Sequence, residues 1–323
     1  MKRRTIQLAV LVAMLALFGA SSAQASFLSS ILANGSNSFE DQDREAYVDV
    51  NGNNTFDVGD VLLGFIRLDT HLPVVSGVGS INNRIYAIFS QEVDSISGST
   101  VHFRPTTAAG LTLSALTGIS APSGSIVAVY SSSTPITDLI TTSPGDLTGN
   151  GTTNLFDYFK AIKDNMTLNL IAGFGSGPTN GDDYFTATVV SAALLASGGA
   201  SLIPNLATSV TVANFTAGLT ILQNNDPEVI YNELVQSSNL TLHQLVIANG
   251  SVRGTSATPP VTNANEWTKI NPDLGYNNPG GFITDADFFV NVTVIPEPGT
   301  LALMGSILSV LGVGYVSRRR QMA

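Results

Sequence analysis

From residue 84 onward the chain repeats one pattern. Short runs of β-branched and aromatic residues are separated by clusters of Gly, Pro, Asn, Asp and Ser. Such punctuation limits the chain to strands joined by turns, because the apolar runs are too short for buried helices and the breakers end them. Residues 84–89 (Arg-Ile-Tyr-Ala-Ile-Phe), 100–104 (Thr-Val-His-Phe-Arg, stopped by Pro105) and 125–130 (Ser-Ile-Val-Ala-Val-Tyr) read as strands. Residues 167–172 and 184–190 flank a Gly/Pro/Asn/Asp-rich loop, as the arms of a hairpin would. Residues 209–212, 240–247 and 287–294 complete the set. The expected fold is mostly β, a β-sandwich-like body with a few short helices.

Helical signals are sparse. Leu155, Phe156, Phe159 and Ile162 recur at helical spacing up to Met166. Val229, Ile230 and Leu234 do so behind Asp226-Pro227, where Asp suits a cap and Pro the first turn. Residues 254–265, rich in Gly, Thr, Pro and Asn, read as a loop or linker. The chain has no cysteine, which removes disulfides, thiolate metal sites and a Cys nucleophile. A body of this length must be held by its core or by bound ions.

The two ends differ from the body. Lys2, Arg3 and Arg4 precede an apolar stretch from Ile6 to Phe18, and Ala23-Gln24-Ala25 fits a small-x-small cleavage site. Residues 1–25 therefore read as a signal peptide, with Ser26 as the first mature residue. At the other end, Thr300 to Val316 carries no charge and is followed by Arg318, Arg319 and Arg320. This run is near the lower limit of the roughly 17–25 apolar residues that span a bilayer as a helix. The arginines should stay cytoplasmic, placing the body outside. Pro296-Glu297-Pro298 stands in front of the apolar run, its prolines holding the segment extended.

Tripeptide, apolar helix and terminal Arg cluster, in that order, resemble the PEP-CTERM sorting signal, here residues 296–323. The resemblance implies export and transient anchoring in the inner membrane by the C-terminal transmembrane helix. It also implies processing by an exosortase-type membrane peptidase that recognises Pro296, Glu297 and Pro298. The cargo of such signals goes to the cell surface or extracellular matrix of exopolysaccharide-producing bacteria. Between the ends, the body (residues 26–295, one or two subdomains) keeps eight basic residues against 23 acidic ones. That balance disfavours nucleic acid and suits cations.

Two segments have the spacing of calcium loops. In residues 49–60, Asp49, Asn51, Asn53, Asp57 and Asp60 occupy positions 1, 3, 5, 9 and 12, with Thr55 offering its carbonyl at position 7. In residues 146–157, Asp146, Thr148, Asn150, Asn154 and Asp157 fall at the same positions, with Thr152 at position 7 and Gly151 at the turn. Oxygens so spaced can wrap a hard cation that takes six to eight of them at about 2.3–2.6 Å. Val61, Leu62, Phe65 and Ile66 read as a short amphipathic segment behind the first loop, and the helix from Leu155 follows the second. Both loops resemble dockerin calcium loops, which end in Asp. Asp49 and Asp146 are too far apart in sequence for a dockerin module, so no cohesin partner is implied. With two carboxylates against three in the first loop, the second should bind more weakly, in the roughly 10⁻⁴–10⁻³ M range of extracellular modules.

Enzyme signals are few. His71, His102 and His243 are widely separated, and the chain has neither a His-Glu-x-x-His nor a Gly-x-Ser-x-Gly motif. Gly173-Phe174-Gly175-Ser176-Gly177 lacks the lysine of a phosphate loop. Asp182-Asp183 and Asp285/Asp287 are acid pairs of the kind a glycosidase uses, but more often solvated turn residues. Trp267 and Tyr276 are candidate glycan contacts, or local packing. The leading expectation is a non-enzymatic, calcium-stabilised surface or matrix protein of structural or adhesive role. The alternatives are a carbohydrate-binding module for exopolysaccharide and a secreted hydrolase.

Overall fold

Strands account for more than half of the described residues; one short helix precedes the first strand and two lie in longer connections. A computed structural model describes residues 27–53, 56–72, 74, 80–175, 183–189, 210–226, 229–231, 244–254 and 274–294. In chain order the strands are β1 (Gly35–Asp49), β2 (Val61–Leu72), β3 (Ile85–Ser97), β4 (Thr100–Pro105), β5 (Ser125–Ser131), β6 (Thr167–Gly173), β7 (Tyr184–Val189), β8 (Val210–Asn224), β9 (Val229–Tyr231), β10 (Gln244–Gly254) and β11 (Asn277–Val294). The helices are α1 (Phe27–Ile31), α2 (Leu113–Thr117) and α3 (Leu155–Asn165). The fold is mostly β, and Ser26–Thr293 forms one unit. Residues 1–26, read above as a signal peptide with the first mature residue, and residues 295–323, read as the sorting segment, lie outside the described residues. Among the described residues no helix is long and apolar enough to cross a membrane.

All eleven strands belong to one hydrogen-bonded network. Pairing runs β1-β2-β3-β4-β7-β8-β10-β11 and returns to β1, antiparallel at every step. Closing the circuit pairs each of these strands on both sides and so removes free edges that would invite other chains. Two long strands divide an edge between partners. β3 pairs through Ile85–Phe89 with β5 and through Gln91–Ser97 with β4. β8 pairs through Ala213–Gly218 with β7 and through Thr220–Asn224 with β6. β6 and β7 therefore lie end to end along β8, each hydrogen-bonded to it, and do not form the hairpin expected of residues 167–190. The cause is the length of β8, 15 residues, which takes both short strands along one edge.

Two further expectations are corrected. Val61 to Ile66 is the start of β2, paired with both β1 and β3, instead of an amphipathic segment behind a calcium loop. Val229 and Ile230 lie in β9, which pairs with β11, instead of opening a helix; their branched side chains suit a strand better. The helix after Asn154 forms as expected and ends at Asn165.

The main core lies between one sheet face and the helical connections. Ala46, Val48, Val61, Leu63, Phe65, Tyr86, Ile88, Ala128 and Tyr130 meet Leu113 and Leu116 of α2 and Leu155, Tyr158, Phe159 and Ile162 of α3. The Tyr158 ring stacks on Phe65, with centroids 5.4 Å apart. Two arginines on this face fasten the segment that leads to the second Asp/Asn loop. Arg44, 1% exposed, donates from Nη2 to the Ile140 carbonyl, and burial lowers its pKa to about 10. Arg67 bridges Asp69 (2.5 Å) and Asp138 (2.6 Å) and also donates to Gln42 (3.1 Å).

β1 carries acids at the alternate positions. Asp41, Asp43 and Glu45 are buried. Burial, reinforced by the Asp43 carboxylate, holds Glu45 well above the usual carboxylate range. The folded state then keeps a proton that the unfolded state has already lost, so stability falls as pH rises from about 4.3 toward the folded value. Glu45→Gln removes that loss. In thermal melts it should match the parent at about pH 4 and exceed it at neutral pH. Parallel pH profiles for the two proteins would contradict this assignment.

Candidate functional site

The first Asp/Asn loop is the tip of the β1–β2 hairpin. Asp49 ends β1 and Asp60 immediately precedes β2. Both are fully buried, which requires that their oxygens be satisfied. Asp49 Oδ1 accepts the N–H groups of Gly52 (2.7 Å) and Asn53 (3.2 Å). Asp60 Oδ1 accepts the Val50 N–H (3.1 Å), and its Oδ2 accepts the Tyr47 hydroxyl and the Asp57 N–H, both at 2.8 Å. Burial raises the Asp60 pKa, opposed by these donors, and burial likewise raises that of Tyr47. The Asp60 backbone is paired to β3, its carbonyl accepting the Val93 N–H (2.8 Å).

Above this base the remaining side chains converge. Asp57 accepts the Asn51 amide at Oδ1 (2.8 Å) and the Asn53 amide at Oδ2 (2.5 Å). Asn51 Oδ1 in turn accepts the Asn53 N–H (3.0 Å). Thr55 lies outside the described residues.

The second loop runs into α3. Asp146 Oδ1 accepts the N–H groups of Gly149 (2.7 Å) and Asn150 (3.2 Å), and its Oδ2 that of Gly151 (2.8 Å). Asp157, fully buried, accepts Leu147 (2.8 Å) and Thr148 (2.7 Å) at Oδ1 and Asn154 (2.7 Å) at Oδ2. Asn154 caps α3 by accepting the Phe156 N–H (2.9 Å), so Asn154 and Asp157 form a reciprocal capping box. Asn150 Oδ1 accepts the Thr152 N–H (3.1 Å) and hydroxyl (3.3 Å).

The two loops therefore share one frame. In each, the first Asp holds the N–H groups of positions 4 and 5, and the last Asp holds those of positions 2 and 9. In neither does the last Asp stand free to give both oxygens to an ion; it closes the loop. Among the described residues, no group of three His, Cys, Asp or Glu side chains is placed to hold a metal ion. A cation here would need amide, hydroxyl or carbonyl oxygens as well. The first loop has them: turning the Asn51 and Asn53 amides over would set their oxygens, instead of nitrogens, against the Asp57 carboxylate. The residues that fit a hard cation best are thus Asp49, Asn51, Asn53 and Asp57. In the second loop they are Asp146, Thr148, Asn150 and Thr152, because Asn154 and Asp157 are taken up by the helix start.

The other candidates divide. Tyr276 donates its hydroxyl to the Ala109 carbonyl (3.0 Å) and packs against the main core, the local-packing reading. Register pairing of Asn277 with Asp49 sets Tyr276 next to the first loop in the fold. Buried His71 meets Asn37 Oδ1 through Nε2 (2.8 Å), and burial lowers its pKa. His102 is in β4, opposite Thr186. Asp183 accepts the Gly175 N–H (2.7 Å) and the Thr220 hydroxyl. A Cβ at Gly173 would stand 2.0 Å from the Gly124 carbonyl, so that glycine serves close strand approach. Asp285 and Asp287 are in β11; Trp267, His243, Ser176, Gly177 and Asp182 lie outside the described residues.

Tyr47 was missed in the sequence, since nothing local ties it to Asp60. The Asn154-x-x-Asp157 spacing, in contrast, is itself a legible cap signal. Comparison with protein-family models, with curated proteins and with solved structures found no match.

Tyr47→Phe removes one donor from a buried carboxylate and should cost about 1.5–3 kcal/mol. Denaturant unfolding monitors this, and an unchanged midpoint would show that the hydroxyl does not support Asp60.

Proposed function

We propose that this is an exported surface or matrix protein with a β-sandwich-like body stabilised by calcium at its two Asp/Asn loops. Its role is structural or adhesive, and the C-terminal signal directs sorting. The observation that carries the body's part is the shared frame. Two segments remote in sequence, one on a hairpin and one before a helix, hold their backbones with carboxylates at the same two positions. Asp49, Asn51, Asn53 and Asp57 would hold the ion in the first loop, and calcium there supplies positive charge among carboxylates and amides. Asp60, through Tyr47 and the Val93 pairing, joins that loop to β1 and β3. Ordering of the loop is thereby transmitted to the closed strand circuit. The acidic body and the lack of cysteine support ion-based stabilisation over disulfides.

Delivery rests on the ends. The signal peptide would export the chain. The helix from Thr300 to Val316, stopped by Arg318 to Arg320, would hold it in the inner membrane. An exosortase-type peptidase would then act at Pro296-Glu297-Pro298.

Calcium at ten times its dissociation constant should stabilise the purified body by about 1.4 kcal/mol. Calorimetry and melting would show this, and Asp57→Asn should weaken it. No heat of binding and no shift at millimolar calcium would overturn the metal reading. For the tail, alanines at Pro296, Glu297 and Pro298 should leave the protein in the membrane fraction of a host carrying the peptidase. Unchanged release would overturn the sorting reading.

A further inference from the structure

The closed circuit of strands has one face against the helical connections and one turned inward. On β1 the inward positions are those of Asp41, Asp43 and Glu45, which are 2%, 6% and 9% exposed. We propose that this inner face binds an aliphatic diamine, a molecule with two ammonium groups joined by a short methylene chain. The inference is independent of the two Asp/Asn loops and of calcium.

Register fixes which residues share the face. Opposite positions on paired strands lie on one side of a sheet, and so do alternate positions along a strand. Tyr47, two residues beyond Glu45, is opposite Leu62, and Leu62 is opposite Gln91. Gln91 therefore belongs to the acid face. It is 4% exposed, and its Oε1 is buried without a hydrogen-bond partner. A buried acceptor in that state calls for a donor.

The positions around the acids carry no positive charge. On β2, Leu68, Ile66 and Gly64 stand opposite Asp41, Asp43 and Glu45. On β11, Thr284 and Phe282 stand opposite Asp43 and Glu45. Arg44 and Arg67 are at the alternate positions and serve the helical side. No Lys or Arg of the described strands falls on the inner face. Acceptors in such surroundings suit a ligand that is cationic and rich in N–H donors.

Spacing favours an amine over a single ion. The three acids are strung along one strand, with about 6.6–6.8 Å between alternate residues. Among the described residues, no three His, Cys, Asp or Glu side chains gather about one point to hold a metal ion. The step along the strand is close to the separation of two ammonium groups joined by four methylenes, so one ammonium can meet Asp43 and the other Glu45. The methylene chain needs apolar surface. Val93, Val101 and Phe103 form a buried cluster with Leu62 and Phe185 on this same face. Burial and the Asp43 carboxylate keep a proton on Glu45 at neutral pH. An ammonium beside it favours the carboxylate, so binding releases that proton to the buffer.

The test is calorimetry of the purified full chain with putrescine, at neutral pH, in two buffers of different ionisation enthalpy. Butylamine, which has one ammonium, is the control. Putrescine should bind saturably with release of about one proton, and butylamine should bind about tenfold more weakly or less. Melting, in which the ligand exchanges freely with the interior, should rise with putrescine. Glu45→Gln should abolish the proton release and weaken putrescine by about tenfold or more. Gln91→Leu, which leaves every charge in place, should weaken binding but keep the proton release. Equal binding of the two amines, or putrescine binding unchanged in Glu45→Gln, would assign it to surface acids and overturn the proposal. Neither heat nor a melting shift at millimolar putrescine would overturn it as well.

Discussion

β3 is the strand on which the rest of the body depends. From Ile85 through Val93 it is buried on both faces, and it gives one edge to β2 and divides the other between β5 and β4. A strand so placed cannot slip register without exposing one buried face and uncoupling three neighbours. Its Val93 pairs with the Asp60 backbone, and its Tyr86 hydroxyl accepts the Leu139 N–H in the segment that leads to Asp146. Both Asp/Asn loops are thus attached to the same strand, one directly and one through the arginine-fastened connection.

That attachment explains why similar loops sit in different surroundings. On the hairpin, the last carboxylate needs a side-chain donor, and Tyr47 provides it from β1. Before α3, the helix provides N–H groups instead, and Asp157 closes the loop while capping the helix. The chemistry retained in both is a buried carboxylate surrounded by donors, which is stable only while every oxygen is satisfied. What differs is the upper half, where the exposed Asn51 and Asn53 amides are tied to Asp57 but the Asn150 amide nitrogen is buried without a partner.

Much of this was legible in the chain. The apolar runs at 125–130 and 167–172 fall within a residue of β5 and β6, whereas 84–89, 209–212 and 287–294 mark only parts of β3, β8 and β11; α3 was visible from the spacing of Leu155, Phe159 and Ile162. β1 was not, because Asp41, Asp43, Arg44 and Glu45 occupy positions where a strand ordinarily shows apolar residues. The period of two is present, but its content is charged. β2 was read only as a short amphipathic segment because the spacing of Val61, Leu62, Phe65 and Ile66 does not show a strand's period of two, whereas tertiary pairing to β1 and β3 decided the matter. The end-to-end placement of β6 and β7 depends on β8, far along the chain, and no local signal carries it. For the loops, spacing identified the oxygen-bearing residues, but only the structure separated those that close the frame, Asp60 and Asp157, from those facing outward.

The central claim is that both loops are held by the same carboxylate frame, ready to take up calcium. Amide hydrogen exchange followed by NMR, without and with calcium, tests it most directly. The account predicts slow exchange at Val50, Gly52, Leu147 and Gly149 already without the ion, and calcium-induced resonance shifts centred on Asn51, Asn53 and Asp57. Exchange at solvent rates in either loop, with no shifts on adding calcium, would contradict it.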